Sequence, residues 1–127
     1  MERKTAPRDA ILKTLSEAPG PLTPGEIHER AGQLHPTLGL ATVYRNINRL
    51  EEKGDVVAVH LPEDPPRYEP AGRAHHHHFR CRECGHVFEL EGECPVAILQ
   101  GVTLPGGFRV EDHELTLYGI CSDCQEA

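Results

Sequence analysis

The stretch His75-His76-His77-His78-Phe79-Arg80-Cys81-Arg82-Glu83-Cys84-Gly85 runs four imidazoles directly into a C-x-x-C pair. A second pair, Cys121-Ser122-Asp123-Cys124, follows about forty residues later. Side chains on an extended segment alternate faces with period two. His75 and His77 are therefore expected to point one way and His76 and His78 the other, so that one short strand feeds two separate metal sites. The thiols define a third site: two thiolates from each of two knuckles close a tetrahedral shell, the geometry preferred by structural zinc. Protein then fills every coordination position and leaves none open for chemistry. Disulfides or idle thiols are the alternative, but paired C-x-x-C motifs in a cytosolic chain more often hold metal.

The totals agree with a chain that needs such help. At 127 residues and 38% hydrophobic, it suits one or two small modules and is lean for a single core. Ile11-Leu12 is interrupted at once by Lys13-Thr14, unlike a secretion signal, and no apolar run reaches membrane-spanning length. A cytoplasmic location with no membrane partner is the expectation. The formal charge of −7 looks wrong for a nucleic-acid binder until it is divided. Residues 1–54 carry eight Lys/Arg against seven Asp/Glu, whereas residues 55–127 carry five against thirteen. Acidity belongs to the second part, where it attracts cations, and the first part is free of that burden.

Arg3 to Ala18 reads as a helix with Ile11, Leu12 and Leu15 on one side, stopped by Pro19-Gly20-Pro21. Thr23-Pro24-Gly25-Glu26 combines a capping-box pattern with proline at the first helical position and starts a second helix that ends near Gly32. Gln33 to Gly39 is expected to be irregular. Leu40 to Lys53 is the clearest helix, with Val43, Ile47 and Leu50 stacked on one face and Gly54 placed to end it. Asp55 to His60 is rich in β-branched residues and Arg67-Tyr68-Glu69 can return beside it. Three helices and a ribbon in this order predict a winged helix-turn-helix over residues 1–70, then a hinge at 71–74. Residues 75–127 read as short strands at 76–81, 87–90, 108–112 and 114–118, with a short helix near Val96-Ala97-Ile98-Leu99. This second domain has too little apolar material to close a core alone, so zinc and a partner subunit are the expected supplements.

Two patterns carry function beyond the thiols. On the helix 40–53, Thr42, Tyr44, Arg45, Asn48 and Arg49 offer hydroxyls, an amide and guanidinium groups suited to phosphates and base edges in a major groove. An ordinary solvated face is the alternative, but the helix stands where a recognition helix stands. Imidazoles with nearby carboxylates suit iron, manganese or zinc. Glu69 and Glu89 are the carboxylates at hand, and His113, beside Asp112, is placed to complete the other face of the histidine run. Cys94 is the odd thiol, either a ligand or a small apolar residue near a turn. Among the single histidines His28, His35 and His60, the last ends a strand leading to the hinge.

Assembled, the segments Gly39-Leu40-Ala41-Thr42-Val43-Tyr44-Arg45, the histidine run before Cys81-Arg82-Glu83-Cys84-Gly85, and Leu117-Tyr118-Gly119-Ile120-Cys121-Ser122-Asp123-Cys124 resemble the ferric-uptake-regulator family of metal-dependent transcriptional repressors. The resemblance covers essentially the whole chain. It implies an α+β protein: an N-terminal winged-helix DNA-binding domain, and a small C-terminal α/β dimerisation domain with structural zinc. It implies homodimers that grip double-stranded, palindromic operator DNA when a sensing site is metallated, controlling metal uptake or oxidative-stress genes.

By the same resemblance, Cys81, Cys84, Cys121 and Cys124 hold zinc. Glu69, His76 and His78, with Glu89 as an acidic ligand of some branches, hold the regulatory Fe2+, Mn2+ or Zn2+. His75, His77 and His113 form a further site completed by Glu93 or Cys94, and Tyr44, Arg45 and Arg8 contact DNA. The sequence departs from the pattern at Pro21, where iron- and peroxide-sensing members often place a histidine, and at Ala71, where zinc-sensing relatives usually add a cysteine. His60 is the substitute ligand from the wing. A zinc hydrolase or deaminase is the rival from another class, yet the H-x-E and P-C-x-x-C pairing of deaminases is absent, so no enzymatic activity and no small-molecule substrate are expected. A zinc store or thiol redox switch without sequence-specific DNA binding is the other alternative.

Overall fold

A computed structural model describes residues 6–74 and 76–125. The chain divides into two compact units, Met1–Ala74 and His75–Ala127. The first contains α1 (Ala6–Glu17), α2 (Pro24–Ala31), α3 (Leu40–Glu52), β1 (Val56–Val59) and β2 (Arg67–Pro70). The second contains β3 (His77–Cys81), β4 (Val87–Leu90), a 3-10 turn at Ala97–Leu99, β5 (Thr103–Leu104), β6 (Phe108–Arg109), β7 (Thr116–Gly119) and α4 (Ser122–Gln125). No helix among the described residues is long and apolar enough to cross a membrane.

In the first unit, local chemistry fixes where the helices begin and end. Thr23 Oγ1 accepts the Glu26 N–H at 3.2 Å and Glu26 Oε1 accepts the Thr23 N–H at 2.9 Å, a complete capping box at the start of α2. Gly54, at φ +80°, closes α3: its N–H donates to Glu51 O at 3.0 Å and the Asp55 N–H donates to Leu50 O at 2.8 Å. The apolar stripe Val43, Ile47, Leu50 is buried against Ile11, Leu15 and Ile27. Burial of each such side chain contributes roughly 1.5–3 kcal/mol. β1 and β2 pair antiparallel from Val56↔Pro70 to Val59↔Arg67, and this ribbon is the wing.

Two details of this unit differ from the sequence reading. Leu22 forms a bridge with Tyr68, exchanging backbone bonds of 3.1 and 2.8 Å, so the stretch read as a helix stop also adds an edge to the wing. Arg67 is buried, and its guanidinium meets Glu26 Oε1 at 2.8 Å and Asp64 Oδ2 at 2.6 Å. A buried charge is costly unless paired and hydrogen-bonded, and these two carboxylates satisfy that condition while tying the wing turn to the cap of α2.

The second unit is organised by a three-stranded sheet in the order β4-β3-β7. β3 and β4 are antiparallel neighbours, whereas β3 and β7 run parallel, from His78↔Thr116 to Cys81↔Gly119. Parallel pairing puts the C-terminal ends of β3 and β7 at one edge, and a C-x-x-C knuckle follows each. Gly119 permits the approach: a Cβ there would lie 3.1 Å from the Phe79 ring. Among the described residues of this unit, only His77, Cys81 and Val87 are buried. The expected strand at 108–112 is confined to Phe108–Arg109, paired with the unexpected β5, and the strand expected from Glu114 begins at Thr116. Residues 110–115 instead turn to carry His113 toward the sheet. α4 is a single turn built on the second knuckle, too short for any periodicity to announce.

Candidate metal centres

Cys81, Cys84, Cys121 and Cys124 converge at the shared end of β3 and β7. Sγ of Cys81 lies 3.7 Å from that of Cys124, and Cys84 lies 3.9 Å from Cys121. A tetrahedral shell with zinc–sulfur bonds of ~2.3 Å has sulfur–sulfur edges of about 3.8 Å, so the four thiols already stand at the spacing that zinc requires. Backbone N–H groups of Cys121, at 3.4 Å, and Cys84, at 3.5 Å, donate to Cys81 Sγ and lower its pKa to about 6 against the opposing effect of burial. Cys124 is pushed the other way by the neighbouring thiols of Cys121 and Cys81. Four sulfurs this close resist joint ionisation until a cation takes up the charge. The cluster is the donor set of a structural zinc site.

The histidine run separates by face. His77, on β3, is buried; its Nε2 lies 3.0 Å from Cys94 Sγ and 3.2 Å from His113 Nε2, and Cys94 Sγ lies 3.1 Å from His113 Nε2. On the other face, the rings of His76 and His78 meet edge-on with centroids 4.9 Å apart, and His76 Nδ1 lies 3.8 Å from Glu89 Oε1. Glu89 is opposite His78 in the β3–β4 register. The expected alternation is thus present for His76, His77 and His78. His75 falls outside the described residues. Glu93 is exposed and is not part of the His77 group, in which Cys94 stands. In the first unit, Glu69 is buried on β2 and His60 is exposed just past β1.

On α3, Tyr44, Arg45, Asn48 and Arg49 are exposed opposite the buried stripe. Arg45 Nη2 donates to Thr42 Oγ1 at 2.9 Å on this exposed face. Arg8 is half-buried on α1. His28, one of the single histidines, donates from Nε2 to the Leu38 carbonyl at 2.9 Å and so secures the turn before α3. Arg67 was not legible as a tie of the wing; an arginine followed by alternating Tyr and Glu gives no sign that its partner lies on α2.

With two knuckles, a divided histidine strand and a winged-helix unit in place, the comparison with known proteins is direct: the model of the ferric uptake regulator family matches residues 2–118. The chain belongs to the ferric uptake regulator family. It is 34% identical over 122 residues to the ferric uptake regulation protein of Campylobacter jejuni, spanning 94% of this chain and 78% of that one. The ferric uptake regulation protein of Escherichia coli is 32% identical over 125 residues, with coverage of 96% and 84%. Among solved structures, a zinc-bound manganese uptake regulator aligns with a TM-score of 0.83 at 27% identity, covering 94% of this chain and 91% of that one. The Vibrio cholerae ferric uptake regulator aligns with a TM-score of 0.72 at 28% identity, covering 94% and 92%. The ferric uptake regulators have this α+β architecture, a winged helix-turn-helix joined to a small zinc-holding domain. They are metal-responsive regulators and not enzymes.

Proposed function

We propose that this ferric uptake regulator represses transcription by binding palindromic operator DNA as a homodimer, and does so when its regulatory site holds a divalent ion. The observation that carries the reading is the approach of His76 to His78 and Glu89, with both histidines at the start of the second unit, which begins at His75. Imidazole nitrogens and a carboxylate are donors suited to Fe2+, Mn2+ or Zn2+, and solved relatives are described as an iron-containing ferric uptake regulator and as manganese uptake regulators. His76, His78 and Glu89 would hold the ion from the second unit, with Glu69 and His60 supplying donors from the wing. Once bound, the ion supplies a positive centre shared by donors of both units. The hinge angle is then fixed, and one angle alone spaces two recognition helices by about 34 Å, one turn of the duplex.

α3 is the reading head in this account. Its exposed Tyr44, Arg45, Asn48 and Arg49, with Thr42, reach base edges and phosphates, and Arg8 adds a phosphate contact from α1. Residues 75–127 form the dimerisation domain, whose exposed Ile98, Phe108, Leu104 and Leu117 supply apolar surface for a second copy. The acidic second part is kept away from DNA in such an arrangement. Operator affinity measured by mobility shift against free manganese, iron and zinc in parallel tests the reading. At least one metal should tighten binding by the five- to 150-fold typical of a coupling free energy of about 1–3 kcal/mol; equal affinity with and without every metal would leave the protein a zinc store or thiol switch.

A further inference from the structure

The wing meets the helices of the first unit through an apolar anchor and an ionic one. Val56 joins the apolar core, with Tyr68 packed against it. Arg67 supplies the other anchor. Its Nε and Nη2 donate to Asp64 Oδ2 at 2.6 Å and Oδ1 at 3.3 Å, and its Nη1 donates to Glu26 Oε1 at 2.8 Å and to the Pro21 carbonyl at 3.4 Å. The side chains of Arg67 and Asp64 are 5% and 2% exposed. One guanidinium thus joins the wing turn, β2 and the entry to α2. Glu26 Oε1 is the same oxygen that closes the capping box with the Thr23 N–H, and Leu22 in the same entry is bridged to Tyr68.

Stability alone does not call for such a cluster. Apolar side chains of similar volume replace a buried ion pair with little or no loss, so what a planar fork adds is direction, fixing the angle as well as the distance of each acceptor. The wing turn shows this. The Asp64 N–H donates to Leu61 O at 3.3 Å with Pro62 second in the turn, and Glu63, third, stands at φ +57°, where glycine is usual. A non-glycine residue stays in that region where its surroundings hold it, and Asp64 is held by Arg67. Residues 55–70 contain no other Lys or Arg, so the wing's one such cation is turned inward and is not offered to phosphates.

We propose that Arg67 is a positioning residue for operator binding: without touching DNA, it locks the wing to the start of α2 and so makes wing and helices one rigid reading head. The inference rests on the repressor reading above. The chain runs from α2 through α3 and β1 to β2, and the Arg67 cluster returns it to the start of α2. α3 therefore sits within a closed ring of elements, whose closure removes freedom from every member.

Arg67→Ala would strand Asp64 without its partner, and unfolding would mask the effect. The test uses full-length protein carrying Arg67→Met together with Asp64→Leu, which puts apolar volume in place of the pair. This double variant should melt within a few degrees of wild type. Amide exchange at Leu22 and across 56–70 should quicken several-fold while that of α3 is unchanged, and operator affinity with the activating metal should fall by about tenfold as preorganisation is lost. Arg67→Lys, which keeps the charge and loses the fork, should show the same split. Wing exchange as slow as in wild type would overturn the lock, and faster exchange with undiminished operator affinity would overturn the positioning role. Failure of the wild-type protein itself to bind operator with any metal would remove the repressor reading and the positioning role with it, a result distinct from either.

Discussion

At Cys81 the geometry around a single sulfur favours the thiolate that zinc binds. Two backbone N–H donors hold its thiol at about 6, below the ordinary 9.0. A depressed thiol pKa favours the ionised form, so its contribution is fully present above the ordinary range and is lost as pH falls through about 6. Because zinc binds the thiolate, a chelator should strip the four-cysteine site far faster at pH 5 than at pH 8, as read by a colorimetric zinc indicator. Cys84→Ser should lose zinc at both, together with the helical and sheet ellipticity of the second unit, since such a site contributes on the order of 10 kcal/mol to folding. A metal-free protein with unchanged circular dichroism and unchanged mass in solution would contradict this. The four ligands were legible from spacing alone, because two C-x-x-C pairs leave few other uses. Cys94 was legible only as one of two alternatives, a ligand or a small apolar residue near a turn; its place beside His77 and His113 depends on the backbone of 110–115 bringing His113 across, which no local signal encodes.

Among the elements, α3 shows most plainly how burial and function divide one helix. Val43, Ile47 and Leu50 are each at most 2% exposed, so Ile47→Ala should destabilise the first unit by about 2–5 kcal/mol. Arg45→Ala, on the exposed face, should leave the melting temperature within a degree or two and weaken operator binding at least tenfold in a mobility shift. A large loss of stability in Arg45→Ala, or full operator binding, would remove α3 from its assigned role. The helices and wing were legible because periodicity, the capping box at Thr23 and the glycine stop at Gly54 are local signals. β3 was legible too, through alternation. β5 and the shortened β6 were not, because strands of two residues carry no period and are held by pairing alone. The parallel β3–β7 contact, which gathers the knuckles, joins residues nearly forty apart and is set by tertiary packing.

Over the whole chain, two units of different character divide the work: one closed around an apolar core, the other short of buried side chains and rich in metal donors. The zinc site supplies structure to the second unit, and the proposed hinge site converts metal occupancy into DNA affinity. These roles are separable by variant because the His76–His78 group and the four cysteines share no donor. Mobility-shift titration of operator DNA by His76→Ala, with and without the metal that activates the wild-type protein, bears on the hinge most directly. The variant should fold and retain its zinc while losing the metal-dependent gain in affinity; an undiminished gain would contradict the account.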